Sequence, residues 1–521
     1  MTTQAAAPLA GRKEWIGLAV LLLPLLLVSM DVSVLYFAVP FISNDLHPTS
    51  TQQLWIFDVY GFVLAGLLIT MGSLGDRIGR RRLLMIGAAA FGATSLAAAY
   101  AGSAEALIAA RALLGIGGAT LMPSTLALLR NMFHNEKQRA TAVAIWTAAL
   151  TFGISLGPIL SGFLLEHFWW GSVFLINVPF MVLLVILAPL LIPEFRVPGR
   201  VRFDLVSSVL SLSAVLPMIY GIKEIAAHGV TPLRAGLIVA GLAVGALFLR
   251  RQQTRPDPMI DLSLFRRRVF SGSILMNLFA MFALVGFAIF TTQFIQTVLG
   301  MQPLEAALWS LAPSLGVGAA APTAATLAKK GVNRGSIMGV GFLIALAGFA
   351  MITIVQADSP LWMLLVAAMF YASGLVVVMS LCTEMIIGAV PAERAGSASA
   401  LAETCSEFGG ALGMAVLGSI GTAVYRSSVA DGVPAGLAPE ALDSVRETLA
   451  GATMVAQATP GPRGDEVLAA AREAFATGMH AAAIGAVVIM GLAAIIAFTV
   501  LRRATVSAAA TETQPELAPV G

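Results

Sequence analysis

The chain has 521 residues, of which 31 are Lys or Arg and 28 are Asp or Glu, a charged share of 11% where soluble domains average about 25%. Hydrophobic residues make up 58% and mean hydropathy is +0.88, which leaves too little polar sequence to coat globules in water and excludes a soluble enzyme. The net charge of +3 sits in short arginine clusters rather than on a basic face, which argues for membrane topology and against a nucleic-acid partner.

A helix crosses the hydrocarbon core with about 20 residues. Apolar runs between charged or Pro, Gly and Asn breaks place fourteen spans at roughly 15–40, 53–72, 83–101, 104–129, 140–164, 173–193, 204–222, 233–249, 269–298, 304–328, 335–356, 361–388, 396–425 and 475–501. Arg12 and Lys13 precede the first run, which continues past Asp31 to Pro40 with no small-residue cleavage site. It reads as a retained span and not a signal peptide. With an even number of spans, the termini and every second gap lie on one side, and about 24 of the 31 cationic residues fall there, as the positive-inside rule requires. Both termini are therefore expected in the cytoplasm. The opposite side receives Lys223, Arg234, Arg426, Arg446, Arg463 and Arg472, and Arg111 falls inside a span.

Between the thirteenth and fourteenth spans, Arg426 to Arg472 forms the one long polar segment between spans. "PEALDSVRETLAGA" from Pro439 has Pro at a helix start and an amphipathic pattern, and Asp465 is placed to cap "EVLAAAREAF". Two short helices over the outer entrance are one reading, a solvated linker the other. The Ala, Thr and Pro-rich tail after Arg503 reads as disordered. Cys382 and Cys405 lie in apolar runs, and His47, His134, His167, His228 and His480 show no ligand spacing, so neither metal nor cofactor is expected.

The halves echo each other. "RATAVAIWTAALTFGISLG" from Arg139 and "RAGSASALAETCSEFGGALG" from Arg394 share an Arg-Ala start and a Phe-Gly-x-x-Leu-Gly end with one residue of slippage. Each opens the fifth helix of a six-helix unit, and parallel six-helix halves place a substrate site at their interface near the midplane. The expected division is a bundle over roughly 1–193, two inserted helices with linkers over 194–268, a second bundle over 269–503 that includes the outer loop 426–474, and a tail over 504–521.

"GSLGDRIGRRRLLMIG", from Gly72 to Gly87, has the Gly-x-x-Gly-Asp-Arg-x-Gly-Arg-Arg spacing in which glycines bring two helix ends together and Asp76 faces Arg77, Arg80 and Arg81. It resembles the signature loop of the major facilitator superfamily, with Gly72, Gly75, Asp76, Arg77, Gly79, Arg80 and Arg81 as the cytoplasmic gating motif. "RALLGIGGA" from Arg111 resembles the fourth-helix motif, and "GISLGPILSG", with Gly153, Gly157, Pro158 and Gly162, resembles the fifth-helix pattern of antiporters. "MDVSVLYFAVP" from Met30 and "WIFDVYGFVLAGLL" from Trp55 are similar to the first two helices of the fourteen-span drug:proton antiporter (DHA2) family of the QacA, SmvA and LfrA type. The resemblance implies an all-α polytopic membrane protein with two six-helix bundles plus two inserted central helices. It also implies efflux and not enzymatic catalysis.

The intramembrane charges are the candidate site. Asp31 lies nine residues before Pro40, roughly 14 Å from the outer edge and near the middle of the bilayer. A carboxylate there needs a cavity and a partner, and a proton and an organic cation can compete for it. Asp58 lies about 8 Å in, with Trp55 and Phe62 at i−3 and i+4, an anion between aromatic rings that suits a quaternary ammonium group. Glu403 and Glu407 share a helix face and discourage each other's ionisation, as a proton relay requires. Glu384, near an inner helix end, reads as an acid that reaches cytoplasmic water. Arg111 belongs to the proton pathway by resemblance, and physically it is a candidate counter-ion. The glycines of the fifth helix are explained by close packing alone. Some relatives carry another acid in the tenth span, and "AALWSLAPSLGVGAAAPTAATLA" from Ala306 has none, so divalent cations are not expected to be handled as well as monovalent ones.

The function expected is proton-coupled export of lipophilic organic cations across the bacterial inner membrane by a multi-pass, monomeric transporter surrounded by lipid. No Lys follows a Gly anywhere, which excludes an ATP-driven pump with a P-loop. The alternatives are export of an endogenous lipid or metabolite on the same scaffold, and a membrane sensor without flux.

Overall fold

The computed structural model describes residues 9–196, 204–255, 258, 262–389, 395–434, 437–459 and 461–501. Among these residues there are helices and connecting turns, and no strand. In chain order the helices are α1 (Arg12–Leu46), α2 (Ser50–Ile78), α3 (Arg80–Ala99), α4 (Ala104–Met132), α5 (Glu136–His167), α6 (Ser172–Leu175), α7 (Asn177–Leu191), α8 (Leu205–His228) and α9 (Pro232–Thr254). They continue with α10 (Arg268–Gln293), α11 (Pro303–Trp309), α12 (Ser314–Lys329), α13 (Arg334–Ile352), α14 (Leu361–Gly388), α15 (Ala395–Gly432), α16 (Pro439–Glu447), α17 (Leu449–Ala458) and α18 (Pro462–Ile496).

Helix is the form that satisfies every backbone group within one segment, which hydrocarbon demands. The ends are fixed by short polar residues. Thr49 accepts from the Gln52 amide while the Gln52 side chain accepts from the Thr49 amide, and the side chains of Ser103, Asp204, Thr231 and Asn333 cap α4, α8, α9 and α13 by accepting from the amide three residues on. Twelve helical segments among the described residues are long and apolar enough to cross a membrane, and α2, bent by 50° near its middle, makes thirteen if it is one span. Leu233, Val230 and Leu315 are each more than three-quarters exposed, a surface that suits lipid and not water.

α1 packs on α5, α7 and α4, α2 on α4, and α3 on α4 and α7; α10 packs on α15 and α14, and α13 on α14 and α18. The sequence echo has a structural counterpart. Gly153 and Gly157 of α5 sit against the backbone at Leu26 and Met30 of α1, and Gly409 and Gly413 of α15 sit against the backbone at Leu278 and Phe282 of α10. In both pairs glycines four apart meet carbonyls four apart, where a side chain would collide.

Three expectations change. The 304–328 run is interrupted between α11 and α12 by a turn over 310–313. The two short helices expected over 439–452 and 466–475 do not form as such: the first stretch breaks at Thr448 into α16 and α17, and the second is the opening of α18, which starts at Pro462 with Gly461 as its cap, so Asp465 lies inside the first turn. Lys223, assigned to an outer loop, lies within α8 and is fully buried. The 504–521 tail, and Arg200, Arg202, Arg394, Arg502 and Arg503 of the expected basic clusters, lie outside the described residues.

A Cβ at Gly413 would strike the Phe282 carbonyl, whereas Gly318 has open space. Gly413→Val should therefore cost about 1–3 kcal/mol through overpacking, visible as a lower melting temperature in detergent, while Gly318→Ala should melt as the parent does.

Candidate functional site

A cavity of about 470 Å³ opens between the helices that follow α9 and those that precede α8, within the range of small-molecule sites. Residues of α1, α2, α4 and α5 form one wall and residues of α10, α12, α14 and α15 the other, with Asp58, Arg111, Glu403 and Glu407 among them. The rest of the lining is largely apolar, including Leu64, Met122, Met281, Val285 and Met414, with the rings of Tyr36, Phe57, Tyr60 and Tyr371.

Arg111 of α4 is 1% exposed and closes an ion pair with Asp31 of α1. Its Nε donates to the Ile56 carbonyl of α2 at 3.0 Å, and its guanidinium lies 4.6 Å from the Tyr60 ring centroid. One side chain thus ties three helices. Asp31 itself does not line the cavity; Arg111 does. The acid expected to meet cargo is the counter-ion of the cation that faces it.

Asp58 lines the cavity, yet its carboxylate lies 2.5 Å from the ammonium of Lys223 on α8, with both side chains fully buried. Apart from each other, neither finds a hydrogen-bond partner among the described residues. The Lys223 ammonium also lies 4.4 Å from the Trp55 ring centroid. This overturns the expected aromatic lining. Trp55 packs with Tyr220 of α8, Phe62 packs with Phe408 of α15 beside Ile219 of α8, and neither ring reaches the cavity. Helical spacing groups Trp55, Asp58 and Phe62 on one face, and that face looks toward α8.

Glu403 and Glu407 of α15 line the cavity and, among the described residues, neither is engaged in an ion pair. Asn277 of α10 donates to Ser406 between them at 2.6 Å. Glu384 pairs with Arg334 at 2.6 Å and is half exposed, away from the cavity.

At the arginine-rich end, Asp76 pairs with Arg80 at 2.6 Å while Arg77 is exposed. Gly79 has φ +112°, and a Cβ there would meet the Glu194 carboxylate, which accepts from the Arg81 amide at 3.0 Å. Glu194, just after α7, ties the turn between α2 and α3 to the end of α7 and was not singled out from sequence. Gly72 and Gly75 lie in the last turns of α2, where Gly75 faces the Arg80 side chain. Pro158 lies within α5, and Gly162 packs on Pro303 and Leu304 of α11 across the two groups of helices. Beside it, Glu166 accepts from the Leu304 amide at 3.2 Å.

The sequence pattern of the Major Facilitator Superfamily matches residues 21–414. The chain belongs to that superfamily. Membership makes it a multi-pass membrane transporter and not an enzyme. Among curated relatives it is 44% identical over 485 residues to the multidrug efflux pump LfrA of Mycolicibacterium smegmatis, covering 93% of this chain and 96% of the relative. It is 35% identical to the methyl viologen resistance protein SmvA of Salmonella typhimurium, over 89% of this chain and 93% of the relative. Among solved structures, a bacterial homolog of the human lysosomal transporter Spinster, in an inward-facing and unoccupied conformation, superposes with a TM-score of 0.64 at 17% identity, covering 95% of this chain and 99% of that one. That likeness shows the superfamily fold.

Removing one partner of a buried ion pair costs about 3–5 kcal/mol. Asp31→Asn and Arg111→Leu should each lower the melting temperature sharply, and the double variant should lose less than the two single losses combined. Additive losses in a thermal-shift cycle would show that the two side chains are not coupled.

Proposed function

We propose that this transporter is a proton-coupled antiporter that exports lipophilic organic cations across the bacterial inner membrane. The observation that carries the proposal is the pair of carboxylates, Glu403 and Glu407, facing a mostly apolar cavity with no ion-pair partner among the described residues. Asp31 with Arg111 and Asp58 with Lys223 are each neutral in sum, so the negative charge left for cargo or protons belongs to α15. An apolar wall with an uncompensated acid accepts a hydrophobic cation, and the same acid accepts a proton. The LfrA relative is described as a multidrug efflux pump and the SmvA relative as a resistance protein for methyl viologen, a bipyridinium dication. Both descriptions support this cargo class.

The reading includes fourteen spans with both termini in the cytoplasm, α5 completing the number, and the bundle borders given above. The end bearing Arg80 to Arg82 is then cytoplasmic. The end where Gly162 meets Leu304 and Leu54 meets Gly418 is external and closed, the arrangement from which cargo loads inside. One proton moving inward gains about 2.3 kcal/mol per 100 mV, and exchange for a cation at a shared acid turns that gain into export.

In inverted vesicles with an imposed pH gradient, ethidium should dissipate the gradient only when this protein is present. Glu403→Gln with Glu407→Gln should abolish the response, and Asp31→Asn should abolish it for monovalent cations while the protein stays in the membrane. Undiminished ethidium-driven proton release from the double glutamine variant would overturn the assignment.

A further inference from the structure

A cation site of carboxylate and aromatic ring stands built behind the cavity wall at Asp58, and it is already filled from within the chain. Asp58 faces the cavity, Trp55 stands one turn away, and the ammonium between them is that of Lys223, 2.5 Å from the carboxylate and 4.4 Å from the ring centroid. Lys223 comes from α8, no residue of which lines the cavity itself, so its ammonium reaches Asp58 from behind the wall. The helix is held in register for this task. It packs antiparallel on α2, with Ser208 bonded to Thr70 near one end, Leu212 seated on Gly66 further along, and Lys223 on Asp58 near the other.

We propose that Lys223 is a tethered competitor for transported cations: its ammonium occupies the Asp58–Trp55 subsite in the empty transporter and sets which cations gain access to it. The inference rests on the reading of the protein as a cation exporter and adds a specificity-determining residue from the inserted helices. Helix packing alone does not require an ammonium at this point. An apolar residue facing an apolar residue would join α2 to α8 with no charge to bury. With Lys223 in place, Asp58 is neutralised, and an incoming cation meets Glu403 and Glu407 first. Only a cation able to displace the lysine gains the second carboxylate.

Ethidium binding to the purified full-length protein in nanodiscs tests this. Lys223→Met removes the ammonium and keeps the side-chain length, so affinity should rise about tenfold through the freed carboxylate and ring. The gain should vanish in Lys223→Met with Asp58→Asn, and Lys223→Arg should bind as the parent does. A second measurement uses the unmodified protein. Saturating ethidium should increase the labelling of Lys223 by a membrane-permeant amine reagent severalfold, read by mass spectrometry against Lys13, Lys137, Lys329 and Lys330 of the same chain. Parent protein that binds ethidium, with no affinity gain in Lys223→Met or, should that variant not fold, no change in Lys223 labelling, overturns this inference and leaves the export reading intact. Asp58-dependent binding by Lys223→Met alone upholds the subsite while overturning the export reading. Absence of ethidium binding in parent and variant alike overturns both.

Discussion

Hydrocarbon tolerates charge only when it is matched, and the interior of this transporter is organised around that constraint. A cation at the centre of a span costs roughly 2.5–3.5 kcal/mol on insertion scales, yet the chain buries Arg111 and Lys223 almost completely. Each meets one carboxylate from another helix, and each lies over aromatic rings, Tyr60 and Phe174 for Arg111 and Trp55 for Lys223. The pairs therefore act as joints. Arg111 fixes α4 to α1 and α2, and Lys223 fixes α8 to α2. With these charges cancelled, the acids of α15 are the ones free to change partner.

Close backbone packing supplies the complementary half of the design. Lipid gives helices little hydrophobic reason to associate, so contact must come from shape. Glycines at four-residue spacing on α5 and α15 meet the carbonyl ridges of α1 and α10, which brings α15 near enough to present both glutamates to the cavity. The chemistry of the site depends on residues that have no side chain.

Much of this was legible in the sequence. Hydropathy locates the helices, and the glycines of the fifth helix, Gly153 and Gly157, read as close-packing positions, which they are; their echo at Gly409 and Gly413 packs in the same way on α10. Buried acids were identified as the candidate site because nothing else explains their position. Partner choice was harder to read. Lys223 follows an apolar run by one residue and looks like the start of a loop, since hydropathy averages over a window and cannot tell a snorkelling lysine from a paired one. The face of α2 bearing Trp55, Asp58 and Phe62 was assembled correctly from the helical period, but a period fixes which residues share a face and not which neighbour the face meets. Tyr36, Tyr60 and Tyr371 line the cavity without a spacing that distinguishes them from core aromatics. Glu194 escaped notice because its partner, the turn at Gly79, is remote in sequence.

The energies of the contacts that join the two helix groups fit a structure that must open. Where Glu447 accepts from the Ser50 amide and hydroxyl at 2.9 and 3.0 Å the bonds are part-buried, and where Glu166 accepts from the Leu304 amide the bond is exposed, so water competes for each of them and they are weak beside a buried pair. The joints within the first group, Arg111 to Asp31 and the bond to Ile56, are buried and much costlier to break. A movement that separates the groups can thus break the former and spare the latter. The inserted helix α8 packs on α2 on one side and on α15 on the other, so any rocking of α15 against α2 slides past the helix that carries Lys223. Under the role proposed for Lys223, access of cargo to Asp58 and the opening of the cavity are coupled through this one helix.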